Sequence, residues 1–270
     1  MAITENRKLL VVIGALLLLG QPALAAPTTS NLEREKYWSD QVVDAVMVGE
    51  AVWLQNRGHR FLALYATPEK PATSAIILVH GRGVHPAWGF IDKLYRDLSE
   101  AGHHTLSLQM PILGNEVKFS EYGPTFPEAF ERIDAGIRYL KSRAPQVRQI
   151  FLVGQSSGGM TVVAYAARQP SPALAGIATV GLSTLSGGPD MMQPAMMLKT
   201  IRLPVLDIYG SNDLAEVVNF AAARKQAAEV AGNRHYRAVR VAGGDHFFSE
   251  SYPELLKLLR NWLALPTSRP

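Results

Sequence analysis

The pentapeptide Gly154-Gln155-Ser156-Ser157-Gly158 follows an apolar run, Ile150 to Val153, and precedes a helix-period run through Met160, Val163 and Ala166. A strand that turns sharply into a helix forces its middle residue into a strained backbone conformation, and glycines on either side remove the Cβ atoms that would clash. Ser156, at the centre, would then be held up at the sheet edge with a helix N-terminus behind it, presented as a nucleophile. Outside that context the same five residues are an ordinary tight turn, and Ser157 is a rival hydroxyl off the centre of the pattern. A serine hydroxyl is a weak nucleophile at neutral pH, so it needs a base within hydrogen-bond reach and a third group to orient that base. Of the seven histidines, His246 lies in Ala242-Gly243-Gly244-Asp245-His246-Phe247-Phe248, a Gly-rich loop suited to carrying an imidazole back over the sheet edge. Its plainer reading is an exposed loop histidine. For the acid, the segment Val205 to Asp213 offers Asp207 within a strand and Asp213 in the loop beyond it, and only the loop position points toward such a site. Asp213 also reads as an N-cap for the helical run from Ala215, a role compatible with orienting the base.

These three residues need a scaffold that brings loops together, and the chain reads as one. Ala51 to Leu54 and Arg60 to Ala66 flank the turn-rich Asn56-Arg57-Gly58, which predicts an antiparallel hairpin. From Ala75 onward, short continuous apolar runs alternate with helix-period segments, the pattern of buried parallel strands with crossover helices. The predicted strands are Ala75 to Val79, Thr105 to Gln109, Ile150 to Val153, Gly176 to Val180, Val205 to Tyr209 and Tyr236 to Val241. Ile91, Leu94, Tyr95 and Leu98 share one helical face, and Phe126, Phe130, Ile133, Ile137 and Leu140 share another. Thr125 with Glu128, and Ser251 with Glu254, have capping-box spacing at two helix starts. The expected fold class is α/β, a mostly parallel central sheet with helices on both faces and an antiparallel hairpin at its start. Ligands of such sheets bind beyond the carboxyl ends of the strands, so the chemistry belongs in the loops there.

Composition narrows the function classes. With 270 residues, 47% hydrophobic and 19% charged, the chain can bury a full core, and the absence of cysteine removes disulfides, thiolate nucleophiles and thiolate metal sites. The formal charge of +4 is spread along the chain, without the clustered basic stripe and aromatic platforms of a nucleic-acid reader. Arg7 and Lys8, an apolar run from Leu9 to Leu19 and the small-residue stretch Ala23-Leu24-Ala25 read as a secretory signal peptide, residues 1–25. That apolar run is too short to span a bilayer, so the mature protein is expected to be exported, periplasmic or secreted, with no membrane span. Residues 26–47 then form an N-terminal leader, polar from Pro27 to Asn31 and helical after it, and residues 48–270 form one domain.

The strand followed by His80-Gly81-Arg82-Gly83, the GxSxG turn, the loop aspartate after the next-to-last strand and the histidine after the last strand resemble the α/β-hydrolase superfamily, and the order Ser, Asp, His fits it. The likeness extends from about Ala51 to Leu265, nearest to exported bacterial members. It implies an acyl hydrolase with Ser156, His246 and Asp213 as triad and no cofactor. It also implies an oxyanion hole made by the backbone N–H groups of Arg82 and Ser157. His80 is a pocket candidate better read as fixing its loop than as a base, and the Arg82 side chain reads as a surface group or as a contact for an anionic substrate. Residues 182–203 leave room for only a minimal lid, in which Met191, Met192, Met196 and Met197 form either an adaptable wall for an acyl chain or core filling. Phe119 and Tyr122, in the loop Pro111 to Pro124, are a second candidate wall. No HExxH motif or carboxylate cluster accompanies the other histidines, so no metal is expected. The expected partner is a small-molecule acyl substrate: an ester first, with peptidase, thioesterase and lysophospholipase chemistry adjacent. The competing reading is a non-catalytic envelope scaffold that keeps the fold for binding.

Overall fold

The computed structural model describes residues 26–168 and 171–265, so the signal peptide read in residues 1–25 lies outside the described residues. Eight strands form a single sheet: β1 (Glu50–Asn56), β2 (His59–Ala66), β3 (Ser74–Val79), β4 (His104–Leu108), β5 (Gln149–Gln155), β6 (Leu174–Val180), β7 (Val205–Gly210) and β8 (Tyr236–Val241). Their order is β1-β2-β4-β3-β5-β6-β7-β8. β1 pairs antiparallel with β2, and β2 with β4; the other pairs are parallel. The β1–β2 hairpin turns on Arg57 and Gly58, both at positive φ (46° and 78°). A two-residue turn of that kind matches the twist of the strands it joins.

The continuous apolar runs are buried on both faces because helices cover both. Ala75, Ile77 and Val79 of β3 enter one core, while Ile76 and Leu78 enter the other. The first core is closed by α3 (Phe126–Arg143), α4 (Ser157–Ala167), α5 (Pro194–Leu198) and α7 (Ala221–Val230). The second is closed by α1 (Leu32–Val43), α2 (Phe90–Glu100) and α8 (Tyr252–Leu263). In α2 the expected stripe of Ile91, Leu94 and Leu98 is fully buried, each side chain contributing about 1.5–3 kcal/mol. Among the described residues, no helix is long and apolar enough to cross a membrane.

Both capping-box expectations fail, at α3 because Glu128 is a buried carboxylate. α3 begins where expected, but Thr125 makes no capping bond and donates instead to the Tyr122 carbonyl (2.7 Å). Glu128 faces inward, where Oε1 accepts from Arg132 (2.6 Å) and Oε2 from the Thr29 amide (2.6 Å) and hydroxyl (2.8 Å). Arg132 also donates to Glu35 of α1 (2.8 Å). Burial pushes the Glu128 carboxyl up, but the Arg132 charge and the Thr29 bonds outweigh it and hold the group below its ordinary range. The polar leader segment around Thr28 and Thr29 is thus tied to the core. Ser251 likewise makes no capping bond at the start of α8; a proline in the first turn marks both helix starts.

The chain leaves β3 for β4 on one side and returns to β5 on the other. That reversal opens a crevice at the carboxyl ends of β3 and β5, where the loop from His80 to Gly83 and the turn through Ser156 both emerge.

Candidate active site

Ser156 lies between the end of β5 and the start of α4, with φ 55° and ψ −119°. A Cβ on Gly154 would strike the Gly158 carbonyl, and one on Gly158 would strike the carbonyls of Val79 and His80. Both flanking glycines are therefore required by contact. Ser157 is the first residue of α4, so its N–H has no acceptor within the helix.

Asp213 and His246 come from the loops after β7 and β8, and backbone contacts draw those loops together. The Ser211 amide donates to the Val241 carbonyl (2.8 Å) and the Asn212 amide to the Gly244 carbonyl (2.9 Å). A Cβ on Gly210 would collide with Gly244. The Asp213 carboxylate accepts from the Leu214 amide (2.7 Å) and from His246 Nδ1 (2.6 Å), and its side chain is fully buried. Leu214, not Asp213, stands at the N-cap of the short helix α6 (Ala215–Val218), so the expected capping role does not fall to the aspartate. With Nδ1–H committed to the carboxylate, Nε2 is the ring nitrogen left free of Asp213. The His246 loop is pinned by Phe248, fully buried at φ 49°, and by Asp245, whose carboxylate accepts from the hydroxyl and amide of Ser249 (2.7 and 2.9 Å). Those bonds hold Asp245 below the ordinary carboxylate range.

His80 is buried and fixes its loop. Its Nδ1–H donates to the Gly81 carbonyl (2.7 Å), and Nε2 accepts from the Met110 amide (3.0 Å) and the Gln109 side chain (3.1 Å). Burial pushes its pKa down to about 3, so the ring is neutral. From α1, Arg34 donates to the carbonyls of Gly83 (2.7 Å) and Leu113 (2.5 Å), fastening the loop that carries Arg82 to the one that leads to Phe119. The Arg82 side chain is exposed, with its guanidinium 5.5 Å from the centre of the Phe119 ring.

These loops enclose a cleft of about 340 Å³ that brings Ser156, His246 and Arg82 together. Phe119, foreseen as a wall, lines it, whereas Tyr122 and His80 border a cavity of only about 20 Å³ that also touches Ser157. The methionines do not reach the cleft. Met192 is fully buried in the first core, Met191 packs against that core, and Met196 is exposed on α5. The segment 182–203 folds back onto α4 and α7, and Ser183 is its sole contribution to the lining among the described residues. Asp207 is fully buried, accepting from Arg224 (2.7 Å) and Tyr236 (2.8 Å). Among the described residues, no three metal-binding side chains converge.

Sequence reasoning missed Gly181, Ser183, Arg34 and the cleft's exposed apolar rim of Trp88, Leu214 and Phe247. Gly181 follows β6 at φ 61°, and a Cβ there would stand 2.9 Å from His246 Nδ1 and 3.3 Å from Asp213 Oδ2. A glycine directly after a buried strand was the available signal. Ser183 places its hydroxyl 3.1 Å from Ser156 Oγ, and nothing local marks it.

A family model described as protein of unknown function (DUF3530) matches residues 9–125 and 124–264. The chain belongs to this family. No curated protein matches the DUF3530 chain. Solved structures do. Est1E from Butyrivibrio proteoclasticus is 16% identical with a TM-score of 0.64, covering 79% of this chain and 97% of its own. A dienelactone hydrolase from Anabaena variabilis is 20% identical with a TM-score of 0.63, covering 79% and 95%. An acylaminoacyl peptidase from Pyrococcus horikoshii is 15% identical with a TM-score of 0.62, covering 86% of this chain and 44% of its own. At such identities the likeness is one of fold: this DUF3530 chain has the α/β-hydrolase fold.

Proposed function

We propose that this protein is a serine hydrolase that cleaves a carboxylic ester or related acyl bond through an acyl-enzyme. The observation that carries this reading is His246, bonded to the buried Asp213 at 2.6 Å and lining the same cleft as a serine held at φ 55°. Ser156 Oγ attacks the substrate carbonyl while its proton passes to His246 Nε2, and Asp213 stabilises the imidazolium. The N–H groups of Arg82 and Ser157 receive the charge that develops on the carbonyl oxygen. Collapse expels the alcohol, which takes the proton from His246, and water then releases the acyl group by the same steps in reverse order. The exposed rim of Trp88, Leu214 and Phe247 favours an apolar or aromatic group at the mouth, and the modest cleft favours a small-molecule substrate. Peptides, thioesters and lysophospholipids present the same acyl chemistry. The basic, apolar and small-residue pattern of residues 1–25 supports placing the enzyme outside the cytoplasm.

One observation favours the second reading, a binding scaffold without activity: Ser156 bonds to Ser183 and not to His246. Resting sites often tighten only with substrate present, so that contact leaves hydrolysis the better supported of the two. A fluorophosphonate probe decides. Native protein should be labelled, and Ser156→Ala and heat-unfolded protein should not. A protein folded by circular dichroism that resists a small probe would sink the hydrolase reading in favour of the scaffold.

A further inference from the structure

We propose that Ser183 is a fourth catalytic residue, whose hydroxyl donates a hydrogen bond to Ser156 Oγ and steadies the charge that passes through that atom; this rests on the serine-hydrolase reading above. The two oxygens are 3.1 Å apart, and among the described residues each is the other's one side-chain partner. Either oxygen could be the donor, and burial argues for Ser183. Ser183 is 3% exposed, so its hydroxyl hydrogen needs a protein acceptor, and Ser156 Oγ is the one within reach. Ser156 is half-buried at the cleft, so its own hydrogen is free to turn to His246. Donation from Ser183 therefore leaves the nucleophile's proton available to the base, whereas the opposite direction would strand a buried donor.

In acylation the Ser156 O–H bond breaks, its proton goes to His246 Nε2, and the oxygen's electron pair forms the new bond to the acyl carbon; the bond from that carbon to the alcohol oxygen then breaks, and that oxygen takes the proton from His246 as the alcohol leaves. In deacylation water adds to that carbon and gives its proton to His246. The C–Oγ bond then breaks, its pair stays on Ser156 Oγ, and the proton returns from His246 to that oxygen. The Ser183 proton stays on Ser183 throughout. Both steps pass through a state in which Ser156 Oγ carries excess negative charge. A hydrogen bond that joins two neutral hydroxyls at rest strengthens when its acceptor becomes charged, and only such differential interactions raise the rate. Ser183 leaves the sheet two residues after Gly181, so the end of β6 supplies both the space for the His–Asp pair and the donor for the nucleophile.

The test uses the mature chain, the fluorophosphonate probe and p-nitrophenyl acetate. Wild type should label. Ser183→Ala should label about 10- to 100-fold more slowly, with kcat lowered by a similar factor, as expected for one hydrogen bond to a charged group. KM should stay within about twofold, and Ser183→Thr, which restores the hydroxyl, should recover most of the rate. Ser183→Cys keeps the volume with a weak donor and should show the same loss, which carries the test if the alanine variant is unstable. Unchanged labelling and kcat in folded Ser183→Ala would overturn the role while leaving the serine-hydrolase reading intact. Faster labelling would show that the bond restrains the nucleophile, and would overturn it equally. Failure of wild type to label would remove both proposals.

Discussion

Gly181→Ala is the sharpest probe of the site, because it adds one methyl group at a position with two separate costs. The first is conformational. At φ 61° an L-residue with a Cβ sits in the left-handed region, at a cost of about 1–2 kcal/mol. The second is contact: the new carbon would stand 2.9 Å from His246 Nδ1, 3.1 Å from Cε1 and 3.3 Å from Asp213 Oδ2. Neither neighbour yields easily, since the imidazole is pinned by its loop and the carboxylate is buried. Relief means a shift of several tenths of an ångström in the imidazole, where a displacement approaching 1 Å costs about 100-fold in rate. The expected result is a loss of about 10- to 100-fold in the labelling rate and in kcat, with KM little changed. The melting temperature should fall by about 2–8 °C. Gly232→Ala is the control: that glycine has φ 71° and nothing within 4 Å, so it carries the backbone cost alone and should lower stability while leaving activity intact. Wild-type labelling by folded Gly181→Ala would refute the argument that the His–Asp pair depends on the missing Cβ.

Arg34→Met keeps the side-chain stem but removes the donors to the Gly83 and Leu113 carbonyls; kcat should fall about 10-fold through looser positioning of the loop that carries Arg82, with the fold retained by circular dichroism. Unchanged steady-state kinetics would mean that α1 only packs. Stability should also depend on pH above the carboxylate range. His80 titrates at about 3 in the folded protein against 6.5 ordinarily, and burial lowers His85, His103 and His104 as well. The unfolded chain therefore takes up protons first, so this contribution is fully present above pH 6.5 and is lost as the pH falls toward 3. Urea midpoints should drop between about pH 7.5 and pH 5, the stability falling by up to about 1.4 kcal/mol per pH unit through His80 alone; equal midpoints would contradict the buried neutral ring.

The inner strands β3 to β7 were legible because they are buried on both faces. Runs such as Ile76 to Val79 and Phe151 to Val153 carry no alternation to misread, and the edges of all six parallel strands fall within two residues of expectation. Helix starts were placed well but for the wrong cause. Thr125 and Glu128 have the spacing of a capping box, yet Glu128 answers to Arg132, Thr28 and Thr29, the last two about 100 residues away in sequence. Spacing reports what a side chain can do locally, and a buried charge overrules it whenever a distant partner is better placed.

The same distinction explains what was read and missed at the site. Ser156, Asp213 and His246 announce themselves because each is bound to a local pattern: a glycine-flanked turn, a loop beyond a strand, a Gly-rich return. The cleft's walls have no such signature. The methionine cluster read equally as an adaptable wall or as core filling, and with the short α5 lying against α4 and α7 these side chains fill space in the first core or meet solvent. Trp88, Leu214 and Phe247 come from three separate loops and form a rim only once the sheet order sets those loops side by side. Ser183 and Gly181 are the extreme case, since each matters through a single contact made across the fold, one to Ser156 and one to His246. A serine hydroxyl near the end of a strand is common, and its meaning here comes entirely from the 3.1 Å that separates it from Ser156 Oγ. Reaction chemistry is therefore written in the chain at the positions where it is local, while the residues that tune it become readable only through the register of the sheet.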